Sequence, residues 1–261
     1  MKIGFIGTGN MGGALARAAA KSGAELVLFD RCAETASALA AELGCRTASL
    51  EELTAACDLI FIGVKPQVLP DLLAQLKPLL PKASGATWVS MAAGVPIEKI
   101  QAGLGGAPLI RIMPNTPVGV GAGMVLYACS ENVTDAAKAA FLSALGEAGE
   151  ILALPETLID AGCALSGCGP AFVCMFAEAL ADGGVSCGLP RAHAKLLAAQ
   201  TLLGTASLLL RDGAEPAALK DAVCSPGGTT IEGVLALEEG HFRGTVMRAV
   251  RAACDKAKKL S

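Results

Sequence analysis

A glycine-rich turn directly after the first apolar segment constrains the fold of this chain more than any other feature. Residues 3–6 form a run typical of a buried strand, and three glycines follow it at a fixed spacing, Gly7, Gly9 and Gly12. The first permits a tight turn, the second lets the backbone approach a pyrophosphate, and the third lets a helix pack close to the strand. A helix predicted over 11–21 would aim its first amides, near Asn10 and Met11, at the phosphates. The pattern predicts a dinucleotide-binding unit.

The second predicted strand, over 25–29, is followed by two side chains of opposite charge. Asp30 lies at the offset where an acidic side chain contacts the adenosine ribose, which favours the free 2′-hydroxyl of NAD. The guanidinium of Arg31 can instead hold the 2′-phosphate of NADP, or it can be a solvated loop charge. Both dinucleotides therefore remain open on these residues alone.

Composition excludes several classes of partner. A net charge of −3 and an aromatic content of 3% leave nucleic-acid binding without its usual side chains. The most apolar stretch, over 196–210, is interrupted by polar residues and is too short to cross a bilayer. No signal segment precedes the first strand. We expect no nucleic-acid partner, no membrane contact and a cytoplasmic location.

The ten cysteines include no CxxC pair, and the two histidines, His193 and His241, are not near a close cysteine pair. We therefore expect reduced thiols, most of them small buried hydrophobes, and no metal site. Cys168 and Cys224 lie in glycine-rich segments, but a thiolate nucleophile there would need a neighbouring histidine.

Short apolar runs alternate with helical stretches through residue 152. Further strands are predicted over 58–64, 87–91, 109–113, 123–128 and 150–152, and helices over 33–43 and 134–145. This rhythm is typical of an α/β domain with a mostly parallel sheet. Ligands bind at the carboxyl ends of such strands, where we expect these residues to face the nicotinamide: Val64, Lys65, Pro66, Met91 and Ala92. Lys65 is equally consistent with a surface position at a helix start.

The loop over 114–117 contains two prolines that fix its backbone and presents Asn115 at the end of a strand. Such a loop suits a ligand, so Asn115 is a candidate cofactor contact, although a plain turn is also consistent with it. A boundary near residue 153 follows. We expect a Rossmann domain over 1–153 and a second domain over 154–261.

The second half contains helices alone, so the second domain is predicted to be all-α. They are predicted over 156–165, 170–183, 191–211, 215–223, 230–238 and 242–259. The helix over 191–211 is apolar on nearly every side, which a small bundle cannot bury alone. We infer that a second subunit covers it; the alternative is a central helix wrapped by its own neighbours.

The glycine-rich segment over 224–230 can bind an anion. Gly227 and Gly228 can expose consecutive amides before a helix, and Ser225 and Thr229 add hydroxyls. A substrate carboxylate would fit there. The alternative is an ordinary helix start capped by Thr229 or Thr230.

The run Cys-Ser-Pro-Gly-Gly-Thr-Thr-Ile-Glu over 224–232 resembles the C-terminal signature of the pyrroline-5-carboxylate reductase family. The segments over 7–12, 64–67, 111–117 and 178–185 are similar to that family in the same order. The resemblance covers essentially the whole chain. It implies a Rossmann domain followed by a helical domain that interlocks with a second subunit, in a homodimer or a larger homo-oligomer.

The resemblance also implies hydride transfer from NADPH, or from NADH, to the cyclic imine 1-pyrroline-5-carboxylate, giving L-proline. NADPH is the expected preference. Ser225, Gly227, Gly228 and Thr229 would hold the substrate carboxylate, and the Thr230 hydroxyl would lie near the ring nitrogen. A cyclic imine can arrive already protonated, so no histidine is needed as an acid.

The chain departs from the family at Cys168 and Phe172, where serine and tyrosine are usual, so no hydroxyl contact is expected there. Two other functions are consistent with the fold. A two-domain hydroxyacid dehydrogenase would need a lysine in the segment over 162–170, which has none. A dinucleotide-binding redox sensor without turnover would have no use for the run over 225–230.

Overall fold

The computed structural model describes residues 1–83 and 85–259. They fall into two compact units. The first, here called the sheet unit, comprises Met1–Cys168 together with the chain from Ala253 onward. The second, here called the helical unit, comprises Gly169–Ala252.

A single sheet organises the sheet unit. Its strands are β1 (Lys2–Ile6), β2 (Glu25–Phe29), β3 (Arg46–Thr47), β4 (Leu59–Ile62), β5 (Thr87–Ser90), β6 (Leu109–Pro114), β7 (Gly123–Cys129) and β8 (Gly149–Ala153). Their order is β3-β2-β1-β4-β5-β6-β7-β8. Neighbours are parallel except β6 and β7, where Ile112 lies opposite Tyr127 in an antiparallel pair. The predicted α/β class with a mostly parallel sheet is confirmed, and the order reverses beside β1, where such folds bind ligands.

Seven α-helices lie wholly within the described residues of the sheet unit. They are α1 (Asn10–Ala20), α2 (Ala33–Leu43), α3 (Leu50–Ala56), α4 (Leu69–Leu76), α5 (Ile97–Gly103), α6 (Asp135–Ala144) and α7 (Glu156–Ser166). Thr134 caps α6 by accepting the amide of Ala137. Ser49 and Glu52 form a capping box at the start of α3. The sequence pattern does not predict β3, α3, α4 or α5, because elements of at most eight residues show little periodicity.

The core of the sheet unit lies on both faces of the sheet. Successive strand residues alternate between two buried clusters, with Phe61 on one face and Ile62 on the other. The rings of Phe5 and Phe61 stack with centroids 4.5 Å apart. The largest fully buried side chain is Trp88.

The helical unit contains α8 (Gly169–Ser186), α9 (Arg191–Leu209), α10 (Pro216–Ala222), α11 (Thr229–Glu239) and the start of α12 (Phe242–Lys258). Its buried cluster is small and consists of Ala181, Ala194 and Ala198, which belong to α8 and α9. On α9, Leu196 and Leu203 are 67% and 61% exposed. The alternative in which its own neighbours wrap this helix is therefore wrong, because the single chain leaves it largely uncovered.

One helical stretch in the described residues, Glu156–Ser186, is long and apolar enough by length and composition to cross a membrane. Its most apolar window is 6% buried. The stretch consists of two helices, α7 and α8, which are separated at Gly167 and Cys168.

Candidate functional site

The turn after β1 has a backbone geometry that requires glycine. Gly7 has φ +93°, and a Cβ there would lie 2.9 Å from the carbonyl of Gly63. A Cβ on Gly12 would collide with the carbonyl oxygen of Gly7. The turn, α1 and the end of β4 therefore approach more closely than side chains at these positions would allow.

The start of α1 is open to an anion. Its N-cap is Gly9, no side chain caps it, and its first turn has no acidic residue. A Cβ on Gly9 would meet no atom within 4 Å, so this side of the turn faces open space. Free amides at a helix start bind phosphate, and those near Asn10 and Met11 lie here. The arrangement fits the pyrophosphate of a dinucleotide.

A cavity of about 660 Å³ lies in front of this turn. It is lined by most of the predicted cofactor residues: Gly7, Gly9, Asn10, Met11, Asp30, Arg31, Val64, Lys65 and Pro66. Met91 and Ala93 also line it, whereas Ala92 between them is 1% exposed and packs in the core. The backbone alternates at the end of β5, so the neighbours of Ala92 face the cavity instead. Gly12 acts through packing rather than by lining it.

Helix α4 supplies cavity residues that the sequence pattern does not identify. Asp71, Leu72 and Gln75 line the cavity beside the end of β4. The available signal is Pro70, which occupies the first turn of α4, a position where proline is common.

The carboxylate of Asp30 is occupied by the protein itself. Its Oδ2 accepts the amide of Thr8 at 2.7 Å and the hydroxyl of Thr8 at 3.1 Å. Its Oδ1 accepts the amide of Cys32 at 3.0 Å. The neighbouring Arg31 is exposed and lines the cavity, and the ion pairs found among the described residues do not involve it. The end of β2 therefore presents the Arg31 guanidinium to the cavity, next to the Asp30 carboxylate, which is hydrogen-bonded within the protein.

Asn115 lies outside this cavity, and both ends of its amide have partners. Its Nδ2 donates to the carbonyl of Ser166 at 3.0 Å, and its Oδ1 accepts the amide of Met124 at 2.8 Å. These bonds join the turn after β6 to β7 and to the end of α7. These contacts agree with the interpretation of the loop as a plain turn between two strands.

A buried arginine joins three elements on the sheet unit. The side chain of Arg111 in β6 is 4% exposed and forms ion pairs with Glu156 at 3.2 Å and Asp160 at 2.7 Å. The same Glu156 oxygen accepts the amide of Ile97 at the start of α5 at 2.7 Å. The sequence offered one signal, a charged residue inside the apolar strand over 109–113.

In the helical unit, the segment before α11 has the geometry of an anion site. Gly227 has φ +66°, and Gly228 is the N-cap of α11 without any side-chain cap. The Gly228 amide donates to the carbonyl of Ser225 at 3.0 Å, and a Cβ on Gly228 would collide with the Ser225 hydroxyl. Thr229 and Thr230 are exposed. The alternative in which a threonine caps this helix is wrong, because no side chain caps its start.

The thiols of Cys163 and Cys168, in the glycine-rich segment over 162–170, are half-buried. Burial is the main cause that raises the pKa of the Cys163 thiol, and the amide of Cys168 donates to the Cys163 carbonyl at 3.0 Å. The Ser166 hydroxyl donates to the carbonyl of Gly162 at 3.1 Å. Within residues 1–83 and 85–259, no three His, Cys, Asp or Glu side chains form a group that could hold a metal ion.

Two family models match the chain. Residues 156–260 match the model for pyrroline-5-carboxylate reductase dimerisation. Residues 2–94 match the model for NADP oxidoreductase, coenzyme F420-dependent. The first match covers most of the exposed apolar helices, and the second covers the glycine turn and its cavity.

Three relatives that match nearly the whole chain are pyrroline-5-carboxylate reductases. Pyrroline-5-carboxylate reductase from Escherichia coli (strain K12) is 40% identical, with 100% of this chain and 98% of the relative covered. The structure of the Plasmodium falciparum reductase with NADP bound is 34% identical, with a TM-score of 0.85 over 100% of this chain and 98% of that one. The Coxiella burnetii reductase is 30% identical, with a TM-score of 0.92 over 99% and 98%. The chain therefore belongs to the pyrroline-5-carboxylate reductase family of NAD(P)-dependent oxidoreductases.

Proposed function

We propose that this chain reduces the cyclic imine 1-pyrroline-5-carboxylate to L-proline with a reduced nicotinamide dinucleotide, the last step of proline biosynthesis. The observation that carries the proposal is the uncapped, glycine-lined start of α1, which suits the phosphates of a dinucleotide. Relatives that match the full length of the chain are named pyrroline-5-carboxylate reductase. The Plasmodium falciparum relative is described with NADP bound, which agrees with such a site.

We propose that NADPH is the preferred cofactor and that NADH is also accepted. Arg31 is exposed at the cavity and its guanidinium suits a 2′-phosphate, while Asp30 beside it already accepts three hydrogen bonds. Lys65 adds a second cation to the cavity wall. An Arg31→Ala variant should raise the Kd for NADPH by about tenfold and change that for NADH much less. Equal changes for both cofactors would identify Arg31 as a surface charge.

The substrate carboxylate is proposed to bind at the segment before α11. The Gly228 amide is bonded to the Ser225 carbonyl, so the site is proposed to use the Gly227 amide and the first amides of α11. Gly228 adds no side chain to the site, and Ser225 and Thr229 supply hydroxyls. An uncapped helix start favours a negative charge through its dipole. Thr230 follows in the first turn, where its hydroxyl can orient the ring nitrogen of the substrate.

In this mechanism the protein mainly binds, orients and excludes water. When bound, the reduced nicotinamide supplies the hydride. The imine enters protonated, so the chain needs no strong acid, and a threonine hydroxyl is a poor one. Thr230 is therefore assigned an orienting role at the ring nitrogen. Binding of the substrate carboxylate fixes which face of the imine meets the nicotinamide. This positioning accounts for most of the rate enhancement.

The chain is further proposed to work as a homodimer through its C-terminal helices, with a larger homo-oligomer built from such pairs. The exposed leucines of α9 and the match to a dimerisation model support this assembly. The apolar stretch of α7 and α8 is assigned to the same interface. The ten free thiols suit a location in the reducing cytoplasm. We propose that the functional division lies between residues 1–153 and 154–261.

The proposal is tested by following oxidation of NADPH and NADH with pyrroline-5-carboxylate. Gly228→Val should lower kcat/KM by about a hundredfold, because its side chain would collide with the Ser225 hydroxyl of the proposed anion site. Thr230→Ala should lower it by about tenfold or less. Gly233→Val is the matched control, because a Cβ there meets no atom within 4 Å. Dinucleotide binding without oxidation would favour a sensor, and oxidation with hydroxyacids alone would favour a dehydrogenase.

A further inference from the structure

Asp30 holds the glycine turn through the residue at its centre. Thr8 lies between Gly7 and Gly9 and is 5% exposed, so its side chain is directed into the protein rather than toward the cavity. Its amide and its hydroxyl both donate to Oδ2 of Asp30. The Oδ1 atom accepts the amide of Cys32, which is the N-cap of α2. One carboxylate thus joins the turn after β1 to the start of α2.

The same carboxylate has little capacity left for a ligand. An ionised carboxylate offers about four acceptor positions, and Thr8 and Cys32 together fill three of them. An acid that reads a ribose through both of its hydroxyls needs two positions. Only one remains on Asp30, at Oδ1. To accept a second ribose hydroxyl, the Asp30 carboxylate would have to give up one of its hydrogen bonds to Thr8 or Cys32.

We propose that Asp30 is a positioning residue that fixes the phosphate-binding turn through Thr8 and does not distinguish one adenosine ribose from another. The inference rests on the proposed dinucleotide-dependent function and deepens it. Discrimination between NADPH and NADH is left to Arg31, whose guanidinium lines the same cavity. Loss of the Asp30 carboxylate should then disturb every dinucleotide through the turn, irrespective of its ribose hydroxyls.

The first test uses hydrogen exchange in the cofactor-free protein. Asp30→Ala should speed exchange of the Thr8 amide by about tenfold or more, because it removes the acceptor of both the amide and the hydroxyl of Thr8. Thr8→Val keeps the amide bond and removes only the hydroxyl bond, so it should speed exchange of the amide at position 8 by a smaller factor. The Gly7 amide donates to the Phe29 carbonyl, so its exchange reports opening of the turn in both variants. Thr8→Ser keeps the hydroxyl and should exchange as the wild type does. Unchanged exchange in Asp30→Ala would overturn the proposal. This measurement does not depend on whether the chain reduces an imine.

The second test measures binding of NADH and of its adenosine 2′-deoxy and 3′-deoxy forms by calorimetry. The three ligands carry the same charge, so the electrostatic effect of removing Asp30 is common to all of them. Asp30→Ala should change the three Kd values by the same factor within about twofold. The proposal is wrong if the wild type prefers NADH over a deoxy form and the variant loses that preference. A wild-type protein that binds neither NADPH nor any of the three contradicts the proposed function, while exchange still decides the role of Asp30.

Discussion

Phe5, Phe61 and Trp88 in the sheet unit are each 0% exposed, whereas Leu196 and Leu203 in the helical unit are 67% and 61% exposed. The sheet unit has thus buried most of its large apolar side chains within one chain. The helical unit has left a comparable set in contact with solvent, which is costly for a monomer. The difference teaches that the sheet unit completes most of its core within one chain, whereas the helical unit leaves an apolar surface exposed, which agrees with its match to a dimerisation model.

The largest expected effect is in the core of the sheet unit. Phe61→Ala removes a ring that stacks on Phe5, and it should lower the free energy of unfolding by about 3–5 kcal/mol. Leu203→Ala should cost much less in the dissociated chain, because most of that side chain is already exposed. Urea unfolding at low protein concentration measures both variants. Equal losses would break the comparison.

The next effect concerns the buried ion pairs of the sheet unit. Arg111→Met should lower the free energy of unfolding by about 3 kcal/mol, because Glu156 and Asp160 then lose their ion pairs with the buried guanidinium. The control is Arg17→Met, which breaks an exposed pair with Glu42 and should cost less than about 1 kcal/mol. Similar costs for the two arginines would contradict a structural role for burial at Arg111.

A charge on the exposed face of α9 should affect subunit assembly without affecting the fold or the dinucleotide affinity of the sheet unit. Leu203→Glu is expected to dissociate the assembly while the sheet unit keeps its fold and its NADPH affinity within about twofold. Light scattering and calorimetry on the same sample measure the two properties. An unchanged molar mass would show that this face of α9 is not an interface.

The smallest effect is a difference in thiol reactivity within the sheet unit. Burial raises the pKa of the Cys57 thiol to about 11, so at pH 8 only about 0.1% of it is thiolate. Cys32 is exposed and should be alkylated first by iodoacetamide, as mass spectrometry of the labelled protein can show. The Cys57 rate should rise with pH up to about 11. Fast labelling at pH 8 would mean that the unit opens readily.

Local chemistry made much of the fold predictable. The helix predicted over 33–43 has the observed bounds of α2, and Thr134 caps α6 as its position suggests. The glycine turn was predictable because close backbone contacts leave no room for side chains at Gly7 and Gly12. These features depend on neighbouring residues, so the sequence displays them directly.

Features that depend on distant partners were not predictable in the same way. Arg111 meets Glu156 across 45 residues of sequence, and no local pattern indicates which carboxylate a buried arginine will find. Asn115 looked like a ligand contact because it follows a strand, yet its amide is committed to Ser166 and Met124. Asp30 was identified by its offset, but its bonds to Thr8 appear only when the two strands lie side by side.

The ion pairs of Arg111 also determine how the chain could be divided into fragments. A fragment that stops at residue 153 would lack Glu156 and Asp160, and it would leave a guanidinium that is 4% exposed inside an apolar strand with neither carboxylate. A fragment extended through Cys168 would keep both, as well as the Ser166 carbonyl that Asn115 binds. The first boundary between the two units therefore lies one helix beyond residue 153, and a second one follows at Ala253, where the chain belongs to the sheet unit again.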